Sequence, residues 1–96
     1  MTARVRITLK SGTKPAPASA ANKAKHGIDF EEAQALWLDD DLIQFTGNTT
    51  DEPRFLAVGK IAGKHWTAAY TWRNEHIRLI SVRRAREKEI EAYEGT

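Results

Sequence analysis

With 96 residues, 41% hydrophobic and 29% charged, the chain has the size and composition of one ordinary soluble globular domain, neither fibrous nor disordered. It has no cysteine, which excludes disulfides and thiolate metal sites and fits a reducing cytoplasm. No apolar run approaches the ~20 residues needed to cross a bilayer, and 1–10 lacks the apolar stretch of a signal peptide, so no membrane association is expected. The net charge of +2 is small but unevenly spread. Asp29, Glu31, Glu32, Asp39, Asp40, Asp41, Asp51 and Glu52 make the middle acidic, and basic residues dominate both ends. That split suits a basic surface for a polyanion and an acidic one for a basic partner, or simply a solvated exterior.

In chain order, Val5 to Lys10 alternates apolar and polar residues and reads as a short strand. Ser11 to Pro17, with one Gly and two Pro, reads as a loop. Ser19 is placed to cap a helix over Ala20–His26, closed by Gly27 as the positive-φ residue. Asp29 and Glu32 form a D-x-x-E capping box for a second helix. Its apolar stripe is Phe30, Ala33, Leu36 and Trp37, and it should stop by about Leu38, because the Asp39-Asp40-Asp41 run opposes the helix dipole. From Leu42 the period becomes two. Strands are expected at Leu42–Phe45, Arg54–Ile61, Lys64–Trp72 and His76–Arg83, with tight turns at Ala62-Gly63 and Arg73-Asn74-Glu75. Ala85–Tyr93 reads as a closing helix whose alternating charges suit a solvated, self-paired face. The fold class is therefore α+β: an antiparallel curved sheet of three to five strands, with two N-terminal helices and one C-terminal helix. The whole chain, 1–96, is read as a single domain.

Several chemistries lack support. Gly59 and Gly63 are strand and turn glycines, not a phosphate loop. His26, His65 and His76 lack metal-ligand spacing, adjacent carboxylates at Asp39–Asp41 point in different directions, and Ser81 has no evident base. No cofactor is expected. What remains is a set of cations and imidazoles, densest where the last strand ends in Arg83, Arg84, Arg86 and Lys88. Metal-free RNA cleavage needs little more: a base for the 2′-OH, cations for the phosphorane, and an acid for the leaving oxygen. The guanidinium fork suits the phosphorane because it holds two oxygens at once. The stripe Trp66, Tyr70 and Trp72 fits a sheet core better than a base-stacking platform.

Three blocks carry a family resemblance. Lys25-His26-Gly27-Ile28-Asp29-Phe30-Glu31-Glu32-Ala33 resembles the KHG-x-x-FEEA signature of the BrnT toxins. Arg54-Phe55-Leu56-Ala57-Val58-Gly59 is similar to that family's ERF strand. Ile77 to Ala85, followed by Glu87 and Tyr93, resembles its IRIISARRA ending. The resemblance implies a RelE-like fold and a toxin of a type II toxin–antitoxin pair, a metal-independent endoribonuclease that inhibits translation. The implied partners are an RNA substrate and a BrnA-like ribbon-helix-helix antitoxin through which operon DNA is bound. Carried over, Arg83 and Arg84 would lie near the scissile phosphate, supported by Arg54 and Arg78. His26 would be acid or base, Lys25 a phosphate contact, and Tyr70 a base-stacking or positioning residue. The chain departs from the family over 1–21, where Pro15 and Pro17 replace the usual W-D-x-x-K opening. Two further expectations are a non-catalytic nucleic-acid-binding module or degenerate co-repressor, and a surface around Trp37, Trp66 and Trp72 that accepts an antitoxin segment.

Overall fold

A computed structural model describes residues 6–7, 17–47, 54–73 and 75–95. The order is β1 (Arg6–Ile7), α1 (Pro17–His26), α2 (Phe30–Ala33) running on as a 3-10 turn (Gln34–Leu38), β2 (Ile43–Thr46), β3 (Phe55–Ile61), β4 (Lys64–Arg73), β5 (His76–Arg84) and α3 (Glu87–Glu94). The five strands form one sheet in the order β1-β5-β4-β3-β2. β2 to β5 are an antiparallel meander, and β1 adds to β5 in parallel through Arg6 and Ile7. The α+β architecture is as the sequence implied. Most of the strand expected over Val5–Lys10 and the loop expected from Ser11 lie outside the described residues.

Local chemistry sets the element ends. Pro17 opens α1, where its fixed φ and missing N–H cost nothing. Gly27 closes it at φ 83°, its N–H donating to Lys23 O at 2.9 Å. Ser19 does not cap this helix. It lies inside it, buried, and its Oγ accepts the Phe30 N–H at 2.9 Å, joining α1 to α2. The capping box does form: Glu32 N–H donates to Asp29 Oδ1 at 2.7 Å and Asp29 N–H to Glu32 Oε1 at 2.9 Å. Ala62 and Gly63, at φ 50° and 80°, make the two-residue turn between β3 and β4.

The cross-strand register sorts the side chains. Trp66, Ala68, Tyr70 and Trp72 stand opposite Arg84, Val82, Leu79 and Ile77. This face packs under α2 and the 3-10 turn, where Ile28, Phe30, Ala33, Leu36, Ala57, Trp66, Ala68, Tyr70, Ile77, Leu79 and Val82 form the core. The opposite face carries Thr67 against Arg83, Ala69 against Ser81, and Thr71 against Arg78. The register slips between Ala69 and Tyr70, which leaves Ile80 as an extra residue on β5. Gly59 lets the 3-10 turn approach β3, since a Cβ there would stand 2.9 Å from Leu42 Cδ1 and 3.1 Å from Leu36 Cδ2.

α1 is fastened to β5 by one buried side chain. Asn22 Nδ2 donates to Val82 O at 2.9 Å and to Ile28 O at 2.7 Å, and Asn22 Oδ1 accepts the Val82 N–H at 3.0 Å. The amide thus satisfies both backbone groups of Val82 on the side of β5 away from β4, beyond the two-residue reach of β1.

Candidate nucleic-acid interface

Arg83 and Arg84 are neighbours in β5, so strand alternation sends them to opposite faces. Arg84 lies on the helix-bearing face, exposed, with its guanidinium carbon 5.5 Å from the centroid of the Trp66 ring. Arg83 lies on the other face and is held by α3. Its Nη1 donates to Glu89 Oε1 and its Nη2 to Glu89 Oε2, both at 2.8 Å. Glu89 Oε1 also accepts from Thr67 Oγ1 at 2.9 Å and from the Arg86 N–H at 2.7 Å. The hydrogen bond from Arg83 outweighs partial burial and, with those from Arg86 and Thr67, brings the Glu89 carboxyl down to about 2. The same hydrogen bond raises the Arg83 guanidinium above its ordinary value. The pair is therefore ionised at any physiological pH.

Arg78 shares the Arg83 face because of the extra residue at Ile80. Five positions separate the two, which in an even strand would put them on opposite sides. Instead Arg78 pairs with Thr71 and Arg83 with Thr67, and those threonines are four apart on β4. Arg54 immediately precedes β3, and its carbonyl accepts the Gly47 N–H at 2.8 Å. Alternation from Phe55, which opposes Tyr70, directs Arg54 to the same side as Arg78. Arg54 and Arg78 are exposed, and with neighbouring strands ~4.8 Å apart they flank Thr71 at a backbone separation of ~10 Å. Among the described residues no ion pair joins Arg78 to Glu75 or Asp41. Arg54, Arg78 and Arg83 thus share a face on which Ala69 and Ser81 are half-buried and Thr67 and Thr71 buried.

The other sequence candidates are elsewhere. Lys25 is exposed and His26 half-buried in the last turn of α1. His26 is one turn, ~5.4 Å, beyond Asn22, and Arg84 two strand residues, ~6.6 Å, beyond Val82, so both radiate from the same anchor. No hydrogen bond among the described residues links His26 to the arginines. Tyr70 is in the core, 2% exposed. Its ring stacks on Phe55 at 5.6 Å and meets Trp37 edge-on at 5.5 Å. Burial raises its hydroxyl to about 12. A nucleobase has no access to that ring, so Tyr70 is a packing residue rather than a stacking platform. Of the three tryptophans, Trp66 is buried, Trp37 half-buried and Trp72 exposed.

α3 also differs from its expected solvated, self-paired form. Its carboxylates reach the sheet. Glu94 Oε2 lies 2.7 Å from His65 Nε2 and 3.2 Å from Lys60 Nζ. The ring of Tyr93 meets His65 edge-on at 5.3 Å. Hydrogen bonds from His65 and then Lys60 lower the Glu94 carboxyl. The sequence signal for Glu89 was available in the Arg86-x-x-Glu89 spacing, where the fourth residue returns to the backbone N–H of the first. Glu89 thus reaches both that backbone N–H and the Arg83 guanidinium. Among the described residues no group of three or more His, Asp or Glu converges on a point where a metal could sit, and no helix is long and apolar enough to cross a membrane.

Arginines ranged over one sheet face offer the charge and the donor geometry that phosphate groups take. A family model described as the ribonuclease toxin BrnT of type II toxin–antitoxin systems matches residues 16–89. The chain belongs to this family of ribonuclease toxins, whose function entails an RNA target and an antitoxin partner. No curated protein matches it.

Proposed function

We propose that the protein is a metal-independent endoribonuclease with a RelE-like fold that inhibits translation and is neutralised by a BrnA-like ribbon-helix-helix antitoxin. The observation that carries the site is the shared face of Arg54, Arg78 and Arg83. An RNA backbone crossing that face would meet three guanidiniums on one side of the sheet. One 2′-OH loses its proton to a base and attacks the adjacent phosphorus, the bond to the 5′ oxygen breaks, and an acid protonates the leaving oxygen. The products are a 2′,3′-cyclic phosphate and a 5′-hydroxyl. Guanidiniums stabilise the non-bridging oxygens as charge builds on them. Arg84 and Lys25 guide the strand past the end of β5, and His26, in the last turn of α1, is the candidate acid or base there.

The test is incubation of purified protein with RNA in EDTA, followed by analysis of product ends. Cleavage should persist and leave 2′,3′-cyclic phosphates. Activity abolished by EDTA and restored by magnesium would reject the mechanism. Binding that falls steeply with salt but yields no turnover would identify a non-catalytic RNA-binding module instead.

A further inference from the structure

Arg83 has five N–H groups. Nη1 spends both of its hydrogens, one on Glu89 Oε1 and one on Arg84 O at 3.2 Å. Nη2 gives one to Glu89 Oε2. Two remain, the Nε–H and the outer N–H of Nη2. They lie parallel on one edge of the guanidinium, with the spacing that matches two oxygens of a phosphate. Neither has a partner among the described residues, and the side chain is 27% exposed. Arginine usually loses rotamer freedom when it grips a ligand. Here that freedom is already removed from the far side, because Glu89 is itself fixed by Thr67 and by the Arg86 N–H.

We infer that Glu89 is a positioning residue, which presets the Nε/Nη2 edge of Arg83 as the receptor for one phosphate of the RNA. The inference rests on the ribonuclease reading above and adds a residue to it. It carries an electrostatic consequence. A carboxylate against Arg83 weakens the attraction of that arginine for RNA, while its geometry serves the transition state. Affinity and turnover should therefore respond to Glu89 in opposite senses.

The decisive variant is Glu89→Gln. With RNA as substrate, at a temperature where circular dichroism shows the fold intact, KM should stay the same or fall. The kcat should drop roughly 10- to 100-fold, the scale on which misplacement of a reacting group by an ångström acts. A purely structural role would scale activity with the folded fraction, and a wild-type kcat would overturn the inference. Arg83→Lys keeps the charge and loses the second fork, so it should show a similar kcat loss. The double variant should lose no more than either alone.

A second measurement needs no folded variant of Glu89. The Arg83 Nε–H resonance of 15N-labelled protein, assigned by its loss in Arg83→Lys, is followed during titration with inorganic phosphate. It should shift. Movement of other guanidinium signals without Arg83 would overturn the inference even if RNA is cleaved. A shift at Arg83 in a protein that cleaves no RNA would support the preset receptor and reject the ribonuclease reading.

Discussion

Tyr93 Oη donates to Asp39 Oδ2 at 2.6 Å, joining the last helix to the end of the 3-10 turn across 54 residues of sequence. Asp39 is a junction, since it also accepts the Lys60 N–H at 2.8 Å and the Asp41 N–H at 2.9 Å. Burial disfavours its charge, but these donors and the nearby Lys60 prevail, and its carboxyl titrates below the usual range. Tyr93→Phe removes one charge-assisted bond and leaves the other two. It should destabilise the protein by about 1–2 kcal/mol in urea unfolding. Hydrogen exchange in α3 should accelerate more than in β4. Equal acceleration in both would show that α3 is held by other contacts.

Stability should fall in acid through Glu89. The fold lowers its carboxyl from 4.5 to about 2, so this contribution is complete above the ordinary value and is lost as pH drops from about 4.5 toward 2. It amounts to roughly 3 kcal/mol at most. Asp39 and Glu94, also lowered, act in the same direction. Urea unfolding of wild type and Glu89→Gln should differ most at pH 7 and converge as Glu89 becomes protonated in the wild type. A constant gap down to pH 3 would contradict the ion pair.

The alkaline limb has its own signature, because the chain has two tyrosines and both are held neutral. Burial raises Tyr70 to about 12, and Tyr93 is raised by its bond to Asp39 and by partial burial. A free tyrosine ionises near pH ~10. Their stabilising effect is therefore complete below about pH 10 and lost as pH rises toward and beyond the folded values. Absorbance at about 295 nm should show almost no tyrosinate at about pH 10.5 in the native protein and more than half in denaturant. A native group titrating near pH ~10 would mean that Tyr70 is wet or that Tyr93 does not hold its bond to Asp39.

Asn22→Ala should be among the most damaging substitutions away from the arginines. It leaves Val82 N–H, Val82 O and Ile28 O without their amide partner at a residue only 6% exposed. The expected loss is about 2–4 kcal/mol, read as a lower urea midpoint with an unchanged slope. Asn22→Asp should be no better, since it removes both donors and sets a negative charge against two carbonyl oxygens. A midpoint within error of wild type in either variant would dissociate α1 from the stability of β5.

The parts of the fold written in local chemistry were legible. Gly27, the pair Asp29 and Glu32, and Ala62-Gly63 mark their turns and caps whatever surrounds them. The arginine cluster was visible as composition, but not its division between two faces. Tyr70 could not be resolved from spacing, since a period-two aromatic looks the same in a core and on a platform, and only the packing of Phe55 and Trp37 decides. Ser19 looked like a cap because it stands where a cap would stand. Its true partner is the N–H of Phe30, eleven residues on. The cap spacing of Glu89 was legible, but its pairing with Arg83 was hidden by the bend between β5 and α3, which folds a residue six places downstream back onto Arg83.

The extra residue at Ile80 makes the parity of the chain between two arginines a property of the site. Deleting it would restore an even ladder with Arg78 four places from Arg83 and still on its face, whereas an even ladder that kept Ile80 would turn Arg78, together with everything before it on β5, toward the hydrophobic interior. Composition and charge are the same with or without the slip, yet only with it do Arg78 and Arg83 of this sequence share a surface. The slip and the extra residue therefore belong together, and a strand lacking one keeps both cations on this face only by lacking the other.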